Sequence, residues 1–155
     1  MSSADSDVAQ GAELLMAILA GVSEEMNDLV IELRERPGVV ETRRGSDLRK
    51  YRDEFRFEDK PYDHFGAYVE ADTNDGNVLC WFVTINNTPS GWELERIVSR
   101  NSDAGYDAVT EFETLTSDSF SEFAGKVPSL VKELAESARR FQFDSNESGP
   151  TRQLP

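Results

Sequence analysis

Apolar residues near the start of the chain recur at alternating spacings of four and three, which places them on one side of a helix. This stripe predicts an amphipathic helix over residues 8–36, with these members: Val8, Ala12, Leu15, Leu19, Val22, Met26, Leu29 and Leu33. Three further apolar residues widen it into a band that faces a core: Leu14, Ile18 and Val30. Gly21 stands before Ser23, a good helix cap, so the pattern leaves open whether the helix is continuous. Pro37 and Gly38 end it.

From residue 39 the apolar period changes to two, which is typical of strands with one buried face. The alternation predicts five or six strands, at 39–44, 51–58, 65–71, 78–85, 92–98 and 108–115. A loop is expected at 45–49, and Asp75-Gly76 supplies a hairpin turn because both residues tolerate positive φ. Short turns throughout favour an antiparallel meander. The segment 78–85 is the most apolar and is expected to be central, while the rest of the strand order stays open.

The three-four spacing returns at the end of the chain and predicts a second helical region, with Phe120, Phe123, Val127, Leu130, Leu134 and Phe141 on one side. Gly125 and Pro128 interrupt it. The sequence therefore predicts a short helix near 118–124, capped by Ser117, and a longer one from Pro128. Residues 144–155 have no apolar period and are expected to be a disordered tail, and residues 1–7 to be flexible.

These elements predict a single α+β domain over residues 1–143, which suits the length of the chain. It would hold an antiparallel meander sheet of five or six strands, with the N- and C-terminal helices packed on one face. The other sheet face would then carry no helix, and a functional surface is expected there.

Charge narrows the choice of partner. The chain has 30 acidic and 16 basic residues, a net charge of −14. Such a surface repels phosphate backbones and anionic membranes and attracts basic proteins. One basic stretch, residues 34–60, includes Tyr51, Phe55 and Phe57, but these aromatics alternate as core residues do. We therefore expect a protein partner with a basic surface, and neither direct nucleic-acid binding nor membrane binding.

The start of the chain and its cysteine content indicate a cytoplasmic protein. The first seven residues carry acids and no Lys or Arg, unlike a secretory or transit signal. The longest candidate for a membrane segment, residues 14–22, is too short to span a bilayer. The single cysteine, Cys80, excludes an intramolecular disulfide and is expected to pack as a small apolar residue.

Residue types that carry catalysis or bind metal are few. His64 and Cys80 alone cannot form a zinc site, and residues 72–76 resemble a calcium loop but lack the glutamate at its twelfth position, where Val83 stands. His64 falls in a predicted loop beside Asp63, an adjacent pair that seldom forms a triad. There is no nucleophile elbow and no glycine-rich phosphate loop. The sequence predicts no catalytic residues, no metal and no cofactor, hence a protein that is not an enzyme.

The candidate partner-binding residues are four glutamates with two aromatic neighbours: Glu93, Glu95, Glu111, Glu113, Trp92 and Tyr106. The glutamates alternate with other residues along two predicted strands. If those strands are neighbours, the four carboxylates form one acidic patch, although like charges on adjacent strands cost some tenths of a kcal/mol each. A solvated acidic sheet face is the alternative explanation, and core packing is the alternative for the aromatics.

The acidity, the small size and the helix–sheet–helix order over residues 8–143 resemble small bacterial immunity proteins, which neutralise a cognate toxin. The same outline is similar to secretion-chaperone-like domains. The resemblance implies an acidic protein-binding module, without a diagnostic motif. Two alternatives remain: a homodimeric chaperone-like or regulatory domain that uses helix 8–36 as its seam, and a small-molecule-binding or hydrolytic domain with a pocket between sheet and helices.

Overall fold

The computed structural model describes residues 3–50 and 63–143 of the chain, and an α+β fold with an antiparallel sheet, as predicted. The elements follow one another in this order: α1 (Ser3–Arg34), β1 (Val39–Lys50), β2 (Asp63–Thr73), β3 (Val78–Thr88), β4 (Gly91–Ser102), β5 (Gly105–Glu111), β6 (Leu115–Ser117) and α2 (Phe120–Arg139). The predicted strand 51–58 and the predicted tail 144–155 lie outside the described residues.

The sheet is a meander in which each strand pairs antiparallel with the next, in the order β1-β2-β3-β4-β5. The short β6 also pairs with β4, beside its Gly91 end, while β5 pairs with the other end of β4. The central position predicted for residues 78–85 is confirmed, since β3 lies third of the five.

Both helices pack on one face of the sheet, as predicted. Alternate residues of β3 are buried on that face and join the helices in one core: Leu79, Trp81, Val83 and Ile85. Side-chain hydrogen bonds help to fix the helices to the sheet. The Thr42 hydroxyl in β1 donates to the Val30 carbonyl of α1 (3.1 Å), and the Arg96 guanidinium in β4 donates to the Leu130 carbonyl of α2 (3.2 Å). Among the described residues, no helix packs on the opposite face, which we call the outer face.

The helices are more regular than the sequence predicts. α1 begins at Ser3, within the stretch expected to be flexible, and continues through Gly21. The predicted division at Pro128 is wrong, because α2 is one helix with this proline in its middle. Pro128 removes one backbone donor, but Phe123, Val127, Val131 and Leu134 on both sides of it are buried in the core. That burial keeps the turns before and after Pro128 in one continuous helix.

The boundaries of two elements also differ from the prediction. Ser119, rather than Ser117, caps α2, its side chain accepting a hydrogen bond from the Glu122 backbone N–H (3.3 Å). Residues 45–49, predicted as a loop, continue β1 and pair with β2. Gly45 lies beneath the ring of Tyr68, where a Cβ would come within 2.5 Å of its hydroxyl. The glycine therefore makes room for an aromatic side chain and does not break the strand.

Candidate protein-binding surfaces

Three of the four predicted glutamates share the outer face. In the register, Glu95 lies opposite Thr84, and Glu111 lies opposite Ile97, two residues further along β4. Glu93 and Glu95 alternate with Leu94, which is fully buried on the helix side. Glu113 is not part of this group, because β5 ends at Glu111. The predicted four-residue patch is therefore a group of three.

The two aromatic residues predicted at the edge of the patch lie apart from it. Trp92 packs on the helix side, with its ring 4.7 Å from that of Phe120 and 5.8 Å from that of Phe123. It is half-buried and packs against the core. Tyr106 lies opposite Asn101 near the start of β5 and is 61% exposed. Of the two, only Tyr106 is placed to contact a partner.

A row of polar side chains crosses the outer face and engages Glu95. The Asn86 amide donates to the Glu95 carboxylate (3.0 Å), and the Thr84 hydroxyl donates to the same oxygen (3.3 Å). The Asn86 carbonyl oxygen lies 2.9 Å from His64 Nδ1. His64 lies in β2, not in a loop as predicted, and is buried with Asn86 at 8% and 2% exposure. These hydrogen bonds orient Glu95 within the sheet.

An ion-pair network fills the other end of the outer face. Arg43 in β1 donates two hydrogen bonds to the Asp72 carboxylate (2.9 and 2.8 Å) and one to Glu70 (3.2 Å), and it also pairs with Glu41. The bidentate bond from Arg43 lowers the pKa of Asp72, and the Asp72 carboxylate in turn raises the pKa of Arg43. Arg43 is therefore surrounded by three carboxylates, and the net charge of this group of side chains is negative.

Cys80 lies half-buried on the outer face of β3, between these two groups. Burial raises its thiol pKa to about 12, and the negative charge of Glu70 acts in the same direction. The side chain stays a protonated thiol at neutral pH and is a poor nucleophile. Cys80 therefore contributes apolar surface, close to the role predicted for it.

The first half of α1 extends beyond the core and forms a second acidic surface. Residues 4–17 are all exposed except half-buried Gly11 and Leu15. The exposed apolar side chains include Val8 at 72%, Met16 at 68% and Leu14 at 41%. Residues 3–33 contain seven acids and no Lys or Arg. Sequence reasoning found this stripe but assigned it to the core, because spacing does not show how far a core extends.

A groove of about 320 Å³ runs between α1 and α2, next to this exposed half. Its floor is apolar and consists of buried side chains from both helices: Ile18, Val22, Val127 and Val131. Gly21 leaves the groove open, since a Cβ at this position would contact nothing within 4 Å. Exposed Glu24 and Asp28 stand on the α1 rim and Lys132 on the α2 rim. Leu14, one turn before Ile18, continues the apolar lining toward the exposed half of α1.

A second hollow, of about 420 Å³, lies between α2 and the segment that leads into β6. Arg96 forms part of its wall and is 5% exposed. The guanidinium donates to Glu133 and to the carbonyl oxygens of Leu130 and Glu113, and it lies 4.6 Å from the centre of the Phe112 ring. With its charge already paired, Arg96 serves to join α2 to the sheet.

Comparisons with protein-family models, with curated proteins and with solved structures return no match. Within residues 3–50 and 63–143, no helix has the length and apolar character needed to cross a membrane. The same residues contain no group of three or more His, Cys, Asp or Glu side chains that could hold a metal ion. The surfaces that bear on function are the acidic outer face and the acidic first half of α1.

Proposed function

We propose that this chain acts by binding another protein that presents a basic surface, in the manner of an immunity protein that neutralises a toxin. The observation that carries the proposal is the first half of α1. It exposes Val8, Leu14 and Met16 on a helix whose charged residues, up to position 33, are all acidic.

The exposed apolar residues supply a reason for association. Fully burying one such side chain stabilises a complex by about 1.5–3 kcal/mol, before the cost of association. The first half of α1 extends beyond the core, and an isolated helix as short as this half is marginal in water. A partner that covers it would therefore stabilise it. The acids around these side chains favour a basic partner and speed its encounter with the chain.

A second copy of the chain is a poorer occupant than a basic protein. Two α1 helices placed side by side along their exposed first halves would bring together Asp5, Asp7 and Glu13 of each copy, with no Lys or Arg from residues 3–33 of either. Like charges in contact cost free energy, and more so at low ionic strength. The charge of α1 thus favours a hetero-complex over the homodimer that the same stripe would otherwise suggest.

The test is affinity capture on the immobilised chain from a native lysate of the cells that make it, followed by reconstitution. We expect a retained protein rich in Lys and Arg, which forms a stoichiometric complex with the purified chain and dissociates as ionic strength rises. If the partner is a toxin, co-expression of this chain should restore growth. Capture of acidic or neutral proteins only, or a complex insensitive to salt, would contradict the proposal.

A further inference from the structure

We propose that the groove between α1 and α2 is the receptor for one amphipathic helix of a basic partner protein. This site rests on the protein-binding function proposed above and adds the kind of segment that is recognised. A helix presents apolar side chains at positions i, i+3, i+4 and i+7, and helix-in-groove recognition inserts that row into an apolar channel.

The shape of the groove fits such a segment. The floor is fully apolar, and Ala17 and Gly21 are small enough to let a third helix approach α1 closely. Leu14 lies on the same side of α1, so the apolar lining extends one turn past the enclosed part of the groove. A docked helix would cover Leu14 and lie alongside the acidic first half of α1.

The charges around the groove determine the kind of helix. Glu24 and Asp28 stand on its rim, both exposed. Glu25 also lines it but is already paired with Arg139 (3.0 Å). Among the described residues that line the groove, Lys132 is the one base. A helix with Lys or Arg on its polar face would meet an excess of carboxylate, whereas an acidic helix would be repelled.

The experiment uses a defined probe. A fluorescent synthetic peptide of about 18 residues, with leucine along one side and lysine elsewhere, is titrated with the full chain, and a peptide with glutamate for lysine is the control. Two variants target the groove. G21L fills it with a leucine side chain, and E24K/D28K reverses the charge of its α1 rim. Each has a matched control. G125L introduces leucine at an open glycine of α2 outside the groove, and D103K/D107K changes the net charge equally on the exposed β4–β5 end of the sheet.

We expect the lysine peptide to bind the wild-type chain and the glutamate peptide not to bind. G21L and E24K/D28K should each weaken binding at least about tenfold, and the two controls should stay within about twofold of wild type. G21L should melt no lower than wild type, because leucine favours a helix more than glycine does. Equal binding by G21L and G125L, equal loss in both charge variants, or no binding of the lysine peptide would overturn the groove as the receptor.

The natural partner, once captured, separates the two proposals. If it binds the wild-type chain in a salt-dependent way and is weakened by G21L and E24K/D28K, both proposals are supported. If it binds in the same way but is unaffected by these variants, the groove assignment is wrong and the protein-binding function stands.

Discussion

At the scale of single residues, Arg96 shows how a charge can occupy a core position. The alternation of β4 places it on the helix side between Leu94 and Val98, both buried. The guanidinium is tolerated because it donates to two backbone carbonyls and to Glu133 and packs over Phe112. A buried charge with these partners does not incur the full desolvation penalty. Arg96 therefore fixes the position of α2 on the sheet.

Gly91 is the residue whose replacement we expect to be most costly among the described glycines. Its φ of 129° is one that residues with a Cβ rarely adopt, and an added Cβ would lie 2.7 Å from the Ser117 carbonyl oxygen. Gly91→Ala should lower the free energy of unfolding by about 2–3 kcal/mol. Gly21→Ala, in an open helical position, should instead raise it by about 0.5–1 kcal/mol. Urea denaturation measures both, and an equal effect of the two changes would show that the backbone at Gly91 is not constrained.

At the scale of elements, periodicity predicted the type of element better than its ends. The stripe of α1 and the apolar run of β3 gave a helix and a central strand because many residues support each pattern. Local signals were less reliable, since Gly45 lies within β1 and Pro128 within α2. In both cases tertiary contacts outweigh local preference: Tyr68 covers Gly45, and core burial surrounds Pro128. Ser119 and Glu122 have the spacing of a capping box, which would have identified the correct cap.

The candidate surfaces could be predicted only in part, because tertiary contacts decide where a strand ends and which part of a helix is buried. Alternation along β4 correctly places Glu93 and Glu95 on one face, and Glu111 joins them through the register. Glu113 does not, because β5 ends at Glu111, four residues before the end of the predicted strand 108–115. The exposed half of α1 was not predictable, since Val8 and Met26 belong to the same stripe and only the length of the underlying core separates their burial.

The ion pair between Arg43 of β1 and Asp72 of β2 should make the stability of the fold depend on pH. Because Arg43 lowers the pKa of Asp72 below its unfolded value of about 3.9, the ion pair stabilises the fold fully above that value. The stabilisation is lost as pH falls through the lower, folded pKa. Asp72→Asn should cost about 1 kcal/mol at pH 7, a modest value because both side chains are partly exposed. Measured by urea denaturation at pH 7 and at an acidic pH below about 3.9, the difference from wild type should be smaller at the acidic pH.

Asp107→Asn, an exposed carboxylate on β5, is the matched control and should stay within about 0.5 kcal/mol of wild type at both pH values. An Asp72→Asn variant as stable as wild type at pH 7 would mean that the network adds nothing to the pairing of β1 and β2.

At the scale of the whole molecule, several arginines hold elements together, among them Arg36, Arg96 and Arg139. Arg36 donates to the carbonyl oxygens of Arg139 and Phe141 at the end of α2 (both 2.7 Å). Arg139 pairs with Glu25 and Glu32 of α1, and these hydrogen bonds raise its pKa despite its partial burial. The acids of the second half of α1 are therefore partly compensated within the fold. The first half has acids, exposed apolar side chains and no Lys or Arg of its own.

The exposed apolar side chains and the excess of acids in the first half of α1 together predict how the isolated chain behaves in solution. The exposed apolar side chains of Val8, Leu14 and Met16 favour self-association. Repulsion between the acids of α1 opposes it, and this repulsion reaches over a Debye length of about 30 Å at 0.01 M salt but only about 10 Å at 0.1 M. We expect the wild-type chain to be a monomer by light scattering at low salt. A variant with neutral side chains at the first three acids, D5N/D7N/E13Q, should associate at the same concentration, and V8S/M16S added to it should restore the monomer. A wild-type dimer at low salt, or a neutral variant that stays monomeric at every concentration reached, would show that carboxylate repulsion does not keep this surface free for a basic partner.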